Sequence, residues 1–193
     1  LLGLDRDQHA LAVARQRLSP FVSQCVFVHA NFSQASEVLQ ELEWNGVDGV
    51  LLDLGFSSLQ IEAGDRGFSF LRSGPLDMRM DQNEEHYAAD IVNHSSQDEL
   101  QGIFREFGEE RAARALARAI IRTRAENPIT TTTALVEIIE RVIRPTSRTQ
   151  MHPATRAFQA LRIAVNQELQ HLETFLREGY RLLRPMGRML ILS

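Results

Sequence analysis

The chain has 193 residues, 44% apolar and 24% charged, with a formal net charge of −4, the composition of an ordinary globular domain with room for an insertion. No run approaches the roughly 18 apolar residues of a membrane span, and no basic start leads into a secretory core. A single cysteine excludes a disulfide framework and Cys/His metal spacing, so a reducing, cytoplasmic setting and no metal are expected.

Along the chain, "LLGLD" reads as a short strand ending in an acid, and "RDQHALAVARQRL" as a helix. "CVFVHANF" gives a second strand over 25–30, with Cys25 expected as a buried packing residue. "SQASEVLQEL" follows as a helix with Ser33 in the N-cap position. "VDGVLLDLG" is a third strand whose apolar run predicts burial on both faces. Strand, helix, strand, helix, strand implies a parallel sheet covered by helices.

From about residue 84 the strand signal ends. "SSQDELQGIFREF" has Ser96 with Glu99 as a capping box, then Leu100, Ile103, Phe104 and Phe107 on one face. "EERAARALARAIIRTRAEN" is a second helix stopped by Pro128, and "TTTTALVEIIERVI" a third ended by Pro145. The predicted organisation is an α/β region over 1–83, a helical block over 84–150, and a return to α/β over 151–193. Within 151–193 a single long helix precedes a turn at Pro185, Met186 and Gly187 and a strand over 189–192. The chain begins inside one strand and stops in or just after another.

Ligands of open parallel sheets sit beyond the carboxyl ends of the strands. Three strands here end on Asp5, on Asn31 and Phe32, and on Asp53. A carboxylate such as Asp5 suits the two hydroxyls of a ribose; the plainer reading is a helix cap, which Asp7 provides equally well. Phe32 can lie against a purine or simply pack. Asp53 is either an acceptor for an amine or a cap for the turn through Gly55, since an ionised carboxylate at a buried strand end needs a partner. One rim with an acid, an aromatic and another acid describes a nucleoside-shaped site.

All 21 basic residues are arginine. The net acidity argues against binding nucleic acid by charge alone, so their placement matters more than their number. Arg111, Arg114, Arg118 and Arg122 fall within a wedge of roughly 80° on a helix, with Leu116, Ala117, Ile120 and Ile121 opposite and no acid over 111–124. A one-signed stripe is either a solvated face or a phosphate contact.

At "LLDLGFSSLQ" and "DRGFSFLRSGPLDMRMD" the sequence stops being generic, and "FGEERAARALARAI", "PITTT" and "HPATRAFQALRIAVNQEL" continue the pattern. These segments resemble the MraW/RsmH family of S-adenosylmethionine-dependent methyltransferases, which modify the N4 amine of a cytidine in small-subunit (16S-type) ribosomal RNA. The likeness covers nearly the whole chain. It implies a class I, Rossmann-like methyltransferase fold with a mostly parallel sheet and an inserted all-helical domain that holds RNA. By motif it makes Asp5, Phe32, Asp53 and Gln60 contacts to S-adenosylmethionine. It implies rRNA or the assembled small subunit as partner, allows a homodimer, and extends the setting to mitochondria for a eukaryotic source.

Chemically, the cytosine N4 lone pair is delocalised into the ring, so alignment with a sulfonium methyl is the main task. An acceptor for one N4–H helps, and Asp53 is the first candidate by position. Asp77, Arg79 and Asp81 in "PLDMRMD" are candidates for the base or its phosphate. The family's glycine-rich loop lies upstream of Leu1, and its "SFHSLEDR" segment falls after Ser193. Leu59, Glu62 and "RPMG" replace the usual residues. Two rival readings stay open on sequence alone: an NAD-linked oxidoreductase, since a strand-end acid also serves that cofactor, and a non-catalytic RNA-binding relic.

Overall fold

The computed structural model describes residues 1–143 and 151–192, so Pro145, expected to stop a helix, lies outside the described residues. The chain divides into two compact units, Leu1–Phe56 with Glu168–Ser193, and Ser57–Gln167. The helical block expected over 84–150 therefore sits inside a larger unit that also takes in 57–83 and 151–167.

In the first unit the chain forms β1 (Leu2–Asp5), α1 (Gln8–Arg17), β2 (Val26–His29), α2 (Ala35–Glu41) and β3 (Val47–Asp53). The second contains α3 (Ser58–Glu62), α4 (Ala88–His94), α5 (Gln97–Glu106), α6 (Ala113–Glu126), α7 (Thr132–Val142) and α8 (Ala154–Asn166). The chain then returns to the first with α9 (Glu168–Glu178) and β4 (Leu183–Leu192). Among the described residues no helix is long and apolar enough to cross a membrane.

The strands are parallel, as expected, because a helix separates each from the next. They form two pairs. β1 pairs with β2 from Leu2↔Val26 to Asp5↔His29, and β3 pairs with β4 from Gly49↔Arg188 to Asp53↔Leu192. No ladder joins the pairs among the described residues; one apolar cluster of Leu39, Leu52, Phe175 and Leu182 packs against both, through Leu2 of β1 and Val50 of β3. Burial on both faces does not hold for β3. Leu52 points into that cluster, whereas its neighbour Leu51 is 66% exposed, as a strand's alternation requires when one face is covered.

Other local expectations change for identifiable reasons. Ser33 does not cap α2. Asn31 caps a single 3-10 turn, Phe32–Gln34, that leads into it: its Oδ1 accepts from Ser33 N at 3.0 Å while Gln34 Oε1 accepts from Asn31 N at 3.0 Å. α2 then starts after Gln34 with no side-chain cap. The predicted single long helix breaks at Gln167, which takes a left-handed φ of 49° and ends α8. β4 starts six residues before the strand expected at 189, because Pro185 to Gly187 form an irregularity within the ladder, between Val47↔Leu183 and Gly49↔Arg188. Cys25 is half-buried rather than buried.

The second unit has its own core. Phe104, Leu116, Ile120, Leu135, Ile139 and Leu161 from α5 to α8 are all fully enclosed, and truncating one such side chain to alanine costs about 3–5 kcal/mol. Leu100 and Phe104 lie innermost on α5, with Ile103 and Phe107 at the flank, as the i, i+3, i+4, i+7 spacing predicts.

Candidate functional site

The segment over 64–82 carries few regular elements, and the rest of the second unit ties it down. Thr132 Oγ1 donates to Arg72 O at 2.8 Å and accepts from Gly74 N at 3.1 Å. Arg66 donates to the carbonyls of Arg79 and Met80 at 2.9 and 3.0 Å. Phe70 stacks on His152 at 4.7 Å and meets Phe158 edge-on at 5.6 Å, joining "RGFSF" to "HPATR". Gly67 holds φ 72°, and a Cβ there would overlap the Pro75 carbonyl, so glycine is required on both counts.

Asp77 and Arg79 form a fork within this segment. Nε of Arg79 donates to Oδ1 at 2.8 Å and Nη2 to Oδ2 at 2.8 Å, while Nη1 reaches the carbonyls of Gln82 at 3.3 Å and Glu84 at 2.5 Å. Burial pushes the Asp77 carboxyl up, but the Arg79 hydrogen bonds and charge outweigh it and hold the group below its usual value. The guanidinium also lies 5.5 Å from the centre of the Tyr87 ring. Thus Arg79 organises 77–87 around itself. Asp81 accepts from Asn83 N at 3.0 Å.

A cavity of about 500 Å³ opens beside this fork, lined by Asp77, Arg79, Tyr87, Asp90, His94 and Arg124 among others. Its frame is hydrogen-bonded throughout: Asn93 spans from Ala89 O to both the carbonyl and the amide of Ile129 at 2.8 Å each, and Arg124 donates to Val92 O at 2.8 Å. Tyr87, Asn93 and Arg124 do not stand out in the sequence. Only Pro128 and the position of "HYAAD" after the "PLDMRMD" motif hint at them.

In the first unit, Asp5 stands at the end of β1, with Oδ1 accepting from Asp7 N at 2.8 Å. Asp7 caps α1 through His9 N, which frees Asp5 from that duty. Burial raises the Asp5 pKa, the Asp7 amide opposes it and the Asp7 charge adds to it. His29, opposite Asp5 in the ladder, has Nε2 at 2.9 Å from Arg6 O. Phe32 follows β2 and packs edge-on against Phe175 at 5.8 Å. Asp53 ends β3 exposed, its side chain with no hydrogen bond or ion pair among the described residues, so no buried charge needs compensating there. Phe32 and Leu54, the residue after Asp53, pack against the same cluster.

Gln60 belongs to the second unit. It is buried, and its Oε1 accepts from Ser57 N at 3.0 Å in a capping box that starts α3. Arg114, Arg118 and Arg122 project from α6 and Arg111 from the turn before it; all four are exposed or half-exposed and none has a partner among the described residues. No cluster of three or more metal-binding side chains occurs among the described residues.

Parallel strands with helices between them make the first unit an α/β structure, two of whose strands end on carboxylates. The chain matches the MraW methylase family over residues 1–193 and belongs to that family. It is 49% identical over 195 residues to a protein of Syntrophotalea carbinolica named ribosomal RNA small subunit methyltransferase H, and 50% identical over 194 to one of the same name from Geobacter sulfurreducens. A third, from Acidithiobacillus ferrooxidans, is 48% identical over 193. Each alignment takes in 100% of this chain but only 60–62% of the relative; the chain spans about three-fifths of the length of these relatives.

Proposed function

We propose that the protein to which this chain belongs transfers a methyl group from S-adenosylmethionine to the N4 amine of a cytidine in small-subunit ribosomal RNA. The observation that carries the reading is the family match over all 193 residues, in company with relatives named for methylation of small-subunit rRNA.

The residues present fit the donor. Asp5, at a strand end with one oxygen on Asp7 N, retains acceptor capacity for ribose hydroxyls. Phe32 offers an aromatic ring at the next strand end, and Asp53 an exposed carboxylate at the end of β3. When bound, S-adenosylmethionine supplies a methyl group already activated on a sulfonium. Asp53 would accept a hydrogen bond from one N4–H, hold lone-pair density on nitrogen, and take up the proton released as the carbon–nitrogen bond replaces the methyl carbon's bond to sulfur, whose electron pair stays on sulfur. Gln60, a cofactor contact by the family resemblance, secures the start of α3 through its bond from Ser57 N. Arg111, Arg114, Arg118 and Arg122, without partners among the described residues, take RNA phosphates, while Asp77 and Arg79 shape the loop beside the RNA.

The test is transfer of labelled methyl to unmodified small-subunit particles by the intact protein, followed by nucleoside analysis. N4-methylcytidine is expected. Particle binding without any methyl transfer would replace the enzyme by an RNA-binding relic.

A further inference from the structure

Asn166 closes α8 with 1% of its surface exposed, and its amide serves one distant turn. Oδ1 accepts from Met80 N at 2.8 Å; Nδ2 donates to Met78 O at 2.7 Å and to Arg162 O at 2.9 Å. The side chain therefore meets one amide and one carbonyl two residues apart, as a neighbouring strand would. A carboxamide presents a donor and an acceptor on separate atoms of one planar group; ionised aspartate keeps only the acceptor and alanine neither.

The turn it holds is an unfavourable one. Met78 lies at φ 64° with its side chain 1% exposed, a conformation that a non-glycine residue keeps only when its surroundings over-determine it. What flanks Met78 builds the cavity wall. Asp77 and Arg79, on either side of it, make the fork. The carbonyls of Asp77 and Leu76 accept from Ala88 N at 2.7 Å and Ala89 N at 2.8 Å, the first amides of α4. Arg79 then sets the Tyr87 ring.

We propose that Asn166 is a positioning residue for rRNA capture: by fixing the Met78–Met80 turn it holds the Asp77–Arg79 fork, the start of α4 and Tyr87 in the arrangement that meets RNA. This rests on the rRNA reading above. The amide acts at a distance, since Asn166 is enclosed and touches the turn rather than the cavity.

The experiment uses the intact protein with Asn166→Ala, Asn166→Asp, and a core control, Ile139→Val. Hydrogen exchange at Met80, Ala88 and Ala89 is expected to quicken about tenfold in Asn166→Ala, the factor of one hydrogen bond of ordinary net strength, with the amides of α7 unchanged. KM for unmodified small-subunit particles rises by about the same factor while kcat stays within about twofold. Asn166→Asp keeps an acceptor for Met80 N but sets a second oxygen against the Met78 and Arg162 carbonyls, so its KM is expected to rise at least as far as that of Asn166→Ala. Faster exchange across the whole unit, or a KM that only tracks the loss of Tm as in Ile139→Val, overturns the proposal. If the parent protein transfers no methyl to rRNA, the rRNA reading fails by itself, and the exchange data alone decide whether Asn166 positions the wall.

Discussion

Asp5 carries a charge that its surroundings resist. Its folded pKa lies above the usual 3.8 because burial disfavours the carboxylate, with the Asp7 charge adding to the effect. The folded state therefore binds the proton more tightly than the unfolded chain. Stability from this group is fully present below pH 3.8 and is lost as pH rises through the folded value. Asp5→Asn is expected to raise Tm at pH 7, with the gain vanishing on acidification toward the usual 3.8, measured by calorimetry across pH. The same variant binds S-adenosylmethionine about tenfold more weakly, since an amide is a poorer acceptor for two hydroxyls. A Tm unchanged at neutral pH would show that Asp5 is not burdened. Such a carboxylate was legible in the sequence because a strand ended on it and Asp7 already supplied a cap. The Asn31 cap was harder to see: Asn31, Ser33 and Gln34 are all polar, and only geometry decides which oxygen faces which amide.

α6 joins two kinds of information on one cylinder. Leu116, Ala117 and Ile120 are buried, so Arg114, Arg118 and Arg122 must face outward, and the 3.6-residue period displayed this directly. If each arginine neutralises one phosphate, Arg118→Ala should lower the slope of log K against log salt by about 0.7–0.9, measured by filter binding to a small-subunit rRNA fragment. An unchanged slope removes that face from the interface. Elements whose boundaries depend on distant partners were not legible. The break between α8 and α9 falls on Gln167, a residue with no special preference for a left-handed φ. β4 extends through Pro185 because an irregular strand can pass a proline that a regular ladder could not. Asp77 and Arg79 stood out in their motif as candidates for the base or its phosphate, but their grip on each other was hidden, since the sequence does not show which partner a charged side chain takes.

Over the whole chain, parallel pairing was readable from the order of elements, whereas the division of the strands into two pairs was not, since pairing is a long-range property. The same point governs the second unit. Its most specific bonds span long stretches of chain: Asn166 to Met80 across 86 residues, Asn166 to Met78 across 88, and Thr132 to Arg72 across 60. None can form until α5 to α8 have brought their ends together, and loop-closure entropy is lost before any of these bonds is gained. The idiosyncratic segment over 64–82 should therefore settle after the transition state for folding. Thr132→Val is expected to accelerate unfolding and leave the folding rate nearly unaltered, a φ-value near zero by stopped-flow fluorescence; slowed folding would place the segment in the nucleus instead. The residues that make the chain recognisable would then be the last to find their places, the transition state holding the helical core but not yet the loop by which the family is known.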